Sequence, residues 1–385
     1  MATRLGRSIH RDGGIGAWPN CLNEYMRSAI LCACASRRHP YFNFTVTGNR
    51  CMHFIVVGAG AIGCYVGARL AHAGQQVSLV GRPGILDDIA THGLTVSDMD
   101  GFRAHLQAAQ LRLAVSVADV ERAGEPVILL CVKGGATVQA AAEIGAVFGA
   151  GTLVISLQNG VDNVQRIRLA APHLEVVAGM VPYNVVLTSP AKVHRATTGH
   201  LQIGPSAVSA EVAACCKAAG LPMVVMPDMQ AVQWGKLLLN LNNPVNALSD
   251  LPLRDELMDR DYRMVLAALQ TEALLALDAA GIVPAKVASA PPRLLPKILR
   301  LPDFLFKVVA SRMLRIDPAA RSSMWDDLQK GRTTEIDDLC GAVVRLAQQH
   351  GTAAPVNAQL LKLVQAHRKG ERLGGSAMRG VLGLS

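Results

Sequence analysis

The sequence predicts an α/β protein with an N-terminal Rossmann-type domain and an all-helical C-terminal domain. Three observations carry that prediction. A strand, a glycine-rich turn, a helix and a second strand follow one another between His53 and Val80. Short apolar strands and helical segments then alternate to about residue 226. From residue 227 the periodicity is helical, with no strand pattern of comparable quality. A chain of 385 residues is long enough for two or three domains. The boundaries read as 1–51 for an extension, 52–226 for the sheet domain and 227–385 for the helical domain.

Composition narrows the class. Half of the residues are hydrophobic and 17% are charged, ample material for a large core. Mean hydropathy is high at +0.27, yet no uncharged apolar run reaches the roughly 18 residues of a spanning helix. A soluble, cytoplasmic protein without membrane contact is expected. The nine cysteines are Cys21, Cys32, Cys34, Cys51, Cys64, Cys131, Cys215, Cys216 and Cys340. They show no C-x-x-C spacing and no histidines in a metal-ligand pattern, so reduced thiols, no metal and no disulfide framework are expected. Of the net charge of +9, +5 sits in residues 1–51, where seven arginines face only Asp12 and Glu24. The remaining +4 suits an enzyme that attracts an anionic cofactor and an anionic substrate. With 4% aromatic residues and no nucleic-acid motif, no nucleic-acid partner is expected.

Residues 1–51 read unlike the rest, Arg-rich and without sustained period, whereas Met52 opens directly onto a strand. They are expected to be a disordered extension or to precede a true start at Met52. A transit peptide, or a signal segment around the AILCACA run, is the weaker reading because that run is short and Glu24 precedes it.

His53–Val57 is a β-branched and aromatic run suited to a buried parallel strand. It leads into Gly58, Ala59, Gly60, Ala61, Ile62 and Gly63, the G-x-G-x-x-G spacing of a dinucleotide-binding turn. A helix is expected over Cys64–Ala73, ended by Gly74, and Gln76–Val80 is the next strand. In that setting Gly58 permits the tight turn, Gly60 lets backbone approach a pyrophosphate, and Gly63 lets helix and strand pack closely. The helix N-terminus adds N–H donors and positive potential for phosphate.

The second strand ends at Gly81-Arg82-Pro83, with no acid before Asp87. An acid there would accept from the ribose 2′-hydroxyl of NAD. Arg82 instead suits the 2′-phosphate of NADP(H), the alternative being a solvated loop arginine. Val127–Val132 and Leu153–Leu157 are further strands, ending at Lys133-Gly134-Gly135 and Gln158-Asn159-Gly160. Functional groups in open α/β sheets gather beyond the carboxyl ends of strands, so Lys133 and Asn159 are expected at the cofactor cleft. Taken singly, they read as a surface lysine and a turn.

Helical segments are expected over roughly 229–248, 255–280, 319–330 and 334–350. The most informative stretch runs from Trp234 to Pro244. On one continuous helix Lys236, Asn240 and Asn243 would lie at i, i+4 and i+7 and share a face. Such a polar stripe on an apolar helix is costly unless it meets water, ligand or partners. The lysine can give a proton to an alkoxide developing on a carbonyl, and the amides can orient a hydroxy acid. A solvated face or an internal polar network is the competing reading. Ser323 to Asp326 and Thr334 to Asp337 resemble capping boxes, with Glu335 in a first helical turn.

In sequence order, Gly58–Gly63, Lys133, Gln158-Asn159-Gly160, Trp234-Gly235-Lys236 with Asn240, and Ser322-Ser323-Met324 with Thr334-Glu335-Ile336-Asp337 resemble the ketopantoate reductase family over about Met52 to Ala366. The resemblance implies NADPH-dependent reduction of 2-dehydropantoate to (R)-pantoate, a step of pantothenate and coenzyme A biosynthesis. By that similarity Lys236 is the proton donor, and Glu335 lies beside it and the cofactor. Asn159, Lys236, Asn240, Asn243 and Ser323 bind substrate. The glycine turn (Gly58, Ala59, Gly60, Ala61, Ile62, Gly63), Arg82, Lys133, Asn159 and Glu335 bind NADP(H).

Three positions depart from the family pattern. Asn243 falls one residue nearer the lysine than the family's second amide, and two further substrate asparagines are matched by Leu253 and Ala320. The stretch 291–316 is unusually long, basic and apolar, as a lid or partner surface would be. The alternative functions are a reductase of a different small 2-oxo acid and a non-catalytic NADP-binding sensor. A homodimer is compatible with the sequence, which does not fix the oligomeric state.

Overall fold

The β-branched runs between residues 53 and 225 form strands β1 (His53–Val57), β2 (Gln76–Val80), β3 (Leu94–Asp98), β4 (Arg103–Leu106), β5 (Arg112–Ala114) and β6 (Val127–Leu130). They continue as β7 (Leu153–Ser156), β8 (Glu175–Met180), β9 (Val185–Thr188), β10 (Lys192–Arg195), β11 (Leu201–Ile203) and β12 (Met223–Val225). Between them lie helices α1 (Ala61–His72), α2 (Pro83–His92), α3 (Thr137–Val147), α4 (Asn163–Ala170) and α5 (Ser209–Ala218). The structure is a computed structural model that describes residues 51–121, 124–287, 290–311 and 320–384. Apart from Cys51, the expected extension lies outside the described residues, as do residues 312–316 of the basic segment.

The larger sheet has the order β12-β11-β8-β7-β6-β1-β2-β5 and is parallel except where β11 meets β8. Its central strands are apolar throughout because helices cover both faces. Phe54, Val56, Leu129 and Ile155 enter the core on one side, and Ile55, Val57, Ile128 and Val154 enter the core on the other. The chain leaves β1 for β2 and β5, then returns to β6 on the opposite side of β1. That reversal is a switch point, where a crevice opens beyond the strand ends.

A second sheet, ordered β4-β3-β10-β9, was not anticipated from the sequence. Its strands are short and alternate polar with apolar residues, which hides them beside the apolar runs of the large sheet. It is fastened to α1 by a buried ion cluster in which Arg69 (2.9 Å) and Arg195 (3.3 Å) both reach Asp98.

From Met229 the described chain is helical: α6 (Met229–Asn240), α7 (Asn242–Ser249), α8 (Leu253–Met258), α9 (Arg260–Ala279), α10 (Leu295–Leu299) and α11 (Asp303–Val309). Then follow α12 (Ser323–Gln329), α13 (Ile336–Gln349), α14 (Pro355–Ala366) and α15 (Gly375–Val381). The expectation of one helix over 229–248 is corrected: it breaks at Leu241. Pro244 has no N–H to give the Asn240 carbonyl, so the ladder cannot run through. The helices α14 and α15 were also not anticipated. Among the described residues no helix is long and apolar enough to cross a membrane.

The central helix α9 also ends the helix packed beside it. Buried Glu272 accepts from Val356 N (2.8 Å), Asn357 N (2.9 Å) and Asn357 Nδ2 (2.8 Å) at the start of α14, whose own N-cap residue supplies no side-chain bond. A carboxylate is favoured there by the helix dipole, and its removal strands buried donors. Glu272→Ala is therefore expected to lower the unfolding free energy by about 2–3 kcal/mol in a urea titration.

Candidate active site

The glycine turn leaves β1 at the switch point. Gly58 has φ +111°, and a Cβ there would meet the Cys131 and Val132 backbone at 2.7 Å. At Gly63 a Cβ would lie 2.1 Å from the Gly58 carbonyl oxygen, so the first turn of α1 can press onto the loop only as glycine. A Cβ at Gly60 would meet nothing within 4 Å. The start of α1 carries no side-chain cap, so the first-turn N–H groups at Ala61, Ile62 and Gly63 have open space above Gly60. This donor set fits a dinucleotide pyrophosphate. Arg82 follows β2 directly as the N-cap residue of α2, exposed and without an ion-pair partner among the described residues. Its neighbour Gly81 abuts the glycine turn, since a Cβ there would lie 2.5 Å from Ala59 Cβ.

Beyond the neighbouring strands β6 and β7 stand Lys133 and Asn159, as the carboxyl-end argument expects. Asn159 is held from below by a network the sequence did not disclose. Asn163 Nδ2 donates to the Asn159 carbonyl (2.6 Å), Thr137 Oγ1 donates to Asn163 Oδ1 (3.0 Å), and Gln158 Nε2 donates to Thr137 Oγ1 (2.7 Å) and Val132 O (2.9 Å). The only available signal was the i, i+4 spacing of Asn159 and Asn163 beside a Gln-Asn-Gly turn.

Held in this way, Asn159 joins the two halves of the protein. Its Oδ1 accepts from Lys236 Nζ on α6 (2.8 Å), and its Nδ2 donates to Glu335 Oε2 at the start of α13 (2.9 Å). Lys236 also donates to the Val181 carbonyl just past β8 (2.5 Å). Burial pulls the Lys236 ammonium down to about 8, an effect that the Glu335 charge partly opposes. The Glu335 carboxyl is raised by burial and by Asp338, against the bond from Asn159 and the charges of Lys133 and Lys236.

Two expectations about caps are corrected. The cap of α12 is Ser322, whose Oγ accepts from Trp325 N (3.1 Å), and Ser323 is the exposed first residue of the helix. Glu335 is itself the N-cap residue of α13, and no Thr334–Asp337 box forms. The Glu335 carboxylate turns to Asn159 instead, where a donor meets it.

Asn240 shares α6 with Lys236, four residues on, whereas Asn243 lies on α7 beyond the turn at Leu241. Ser322 Oγ donates to the Asn243 carbonyl (3.1 Å), which brings Asn243 beside Ser322 and Ser323. Among the described residues the side chains of Asn240, Asn243 and Ser323 make no hydrogen bond within the chain, whereas those of Asn159 and Ser322 are fully engaged. Lys133 binds Asp327 (2.5 Å) across the cleft, with its side chain 47% exposed. Leu253 and Ala320 are neighbours, joined by a bond from Leu253 N to Ala320 O (2.8 Å).

The family model described as ketopantoate reductase PanE/ApbA matches residues 54–207, and its C-terminal counterpart matches residues 228–368. A 2-dehydropantoate 2-reductase of Halobacterium salinarum is 29% identical over 328 residues, spanning 83% of this chain and all of the relative. The crystal structure of a PanE/ApbA family ketopantoate reductase from Ralstonia eutropha JMP134 is also 29% identical, with a TM-score of 0.69 over 82% of this chain and 97% of that one. The fold is shared as well by a D-mandelate dehydrogenase solved with NADH and anilino(oxo)acetate, at 21% identity and a TM-score of 0.68 over 82% of this chain and 98% of that one. The chain is a member of the ketopantoate reductase family, oxidoreductases acting on CH–OH groups.

Proposed function

We propose that this protein reduces the keto group of 2-dehydropantoate to (R)-pantoate at the expense of NADPH, with Lys236 as proton donor. The observation that carries the reading is the part-buried Lys236 ammonium, bonded to Asn159 and lowered to about 8 by desolvation. Bound reduced nicotinamide supplies the hydride. As charge grows on the carbonyl oxygen, Lys236 gives it a proton and becomes a neutral amine, which solvent reprotonates. Asn159 and the Val181 carbonyl fix the direction of the ammonium.

Among the described residues the side chains of Asn240, Asn243 and Ser323 have no internal partner, and they orient the hydroxyl and carboxylate of the substrate. Arg82 grips the 2′-phosphate. Lys133 is half-exposed and its partner Asp327 is largely buried, so Lys133 meets a cofactor oxygen with one proton while another stays on Asp327. Localisation in the cytoplasm and a homodimeric assembly belong to the same proposal. A dimeric ketopantoate reductase is reported for Staphylococcus aureus, a protein 17% identical to this one.

A second reading, reduction of another 2-oxo acid, is favoured by one observation. Leu253 and Ala320, matched to substrate amides of the family, meet side by side and offer carbon where those amides offer hydrogen bonds. Initial rates of NADPH oxidation over a panel of 2-oxo acids separate the two. Preference for 2-dehydropantoate supports the first reading, and preference for a bulkier apolar 2-oxo acid supports the second.

Lys236→Ala is expected to lower kcat by about a hundredfold or more while NADPH affinity changes little. In the wild type kcat should fall as pH rises through about 8, because only the ammonium form donates. Since the Glu335 charge raises the lysine, Glu335→Gln should move that fall to lower pH, read from the kcat–pH profile. Arg82→Ala should raise KM for NADPH on the order of tenfold and leave KM for NADH nearly unchanged in parallel steady-state assays.

A further inference from the structure

Glu256 on α8 is wholly buried and has no ion-pair partner among the described residues. Its Oε2 accepts from Asn242 Nδ2 (3.2 Å) and Asn246 Nδ2 (3.0 Å), both on α7. Its Oε1 and the Oδ1 of Asn242 are buried acceptors that no donor serves among the described residues. These two oxygens belong to groups already joined by one hydrogen bond, and a single hydrogen between them would satisfy both. A neutral carboxylic acid supplies that hydrogen, whereas a carboxylate leaves both buried acceptors unserved.

We propose that Glu256 is a positioning residue held as the neutral acid. Its Oε1–H donates to Asn242 Oδ1, closing a two-bond acid–amide ring that sets α7 and α12 in the pose the substrate requires. The inference rests on the assignment of Asn243 and Ser323 to the substrate. The same carboxyl oxygen that receives Asn242 receives Asn246, whose Oδ1 accepts from Ser322 N (2.8 Å). Ser322 Oγ in turn donates to the Asn243 carbonyl (3.1 Å) and caps α12. One buried carboxyl therefore lies at the root of the bonds that place Asn243 and Ser323 beside each other, without touching either.

The surroundings favour the neutral form. Burial raises the carboxyl to about 8 against the two amide bonds, and Asp259 at the N-cap of α9 adds to the rise. The phenol of Tyr262, in the first turn of α9, is raised chiefly by burial. Arg263 on the same helix spends its donors on the carbonyls of Leu257, Met258, Leu299 and Leu301 and on Asp303. From α7 come the amides Asn242 and Asn246, and from α12 the hydroxyl of Ser322. On α8 itself Arg254 and Asp255 are exposed. As pH rises through about 8 the acid ionises, the ring loses its second bond and α7 loosens from α12.

The predicted signature is a split between the two kinetic constants. KM for the 2-oxo acid rises about fivefold from about pH 7 to about pH 9, the worth of one hydrogen bond, while kcat follows Lys236. Glu256→Gln carries N–H where the acid carries O–H, so it should fold, keep the wild-type KM at pH 7 and hold it to pH 9. The infrared difference between wild type and E256Q, recorded without substrate, should show a carboxylic-acid C=O band at pH 7 that is lost with a midpoint near 8. That band is independent of turnover, so it survives even if the reductase reading fails. An E256Q protein that does not fold, an E256Q KM already raised at pH 7, or the absence of the band at pH 7 would each overturn the proposal.

Discussion

The architecture depends on one constraint: an ammonium group must be kept out of bulk water without being neutralised by a direct ion pair. Taking a lysine into a protein interior costs several kcal/mol unless its donors are met. Here they are met by two neutral oxygens, Asn159 Oδ1 and Val181 O, and the nearest acid stands one amide further away. A direct Glu335–Lys236 contact would hold the lysine charged to high pH and make it a poor acid. An amide between them moderates that pull, and burial lowers the lysine to about 8.

Four elements must meet for this to happen: the turn after β7, the end of β8, the helix α6 and the start of α13. The docking of sheet on helices explains several residues with no chemistry of their own. Asp338, three residues past Glu335, accepts from Arg166 (2.6 Å) and packs against the backbone at Gly134 so closely that a Cβ there would lie 1.9 Å from its carboxyl. Arg345 further along α13 reaches Asp162 (2.6 Å). These contacts bind α13 to the carboxyl edge of the sheet on either side of the Asn159 turn, and the Asn159–Glu335 bond then falls into place. The switch-point crevice and the space around Lys236 are thus two sides of one interface.

Much of the fold was legible in the sequence because its central strands are uniformly apolar. The strands β1 and β2 fall on the residues that their β-branched runs mark, and β6 and β7 stop short of the expected ends by two residues and one. The second sheet was not legible, since short alternating strands such as β10 resemble loops until a distant partner pairs with them. In the site, Lys236 and Asn159 were visible from their place on a helix or beyond a strand, and Glu335 from the family resemblance. Their mutual bonds were not, because Asn159 and Glu335 stand 176 residues apart. Local rules placed Glu335 in a first helical turn and capped α12 with Ser323, whereas tertiary donors decided both positions. Between two adjacent serines only the packed structure chooses which one caps.

The most direct test of this account is the ionisation of Lys236 itself, followed by NMR of the protein labelled at its lysine side-chain carbons and titrated with pH. The account predicts one lysine signal with a midpoint near 8, well below the ordinary lysine value, that disappears in Lys236→Met. If every lysine titrates in the ordinary range, the ammonium is not held as described, and its assignment as the proton donor poised near neutrality is contradicted.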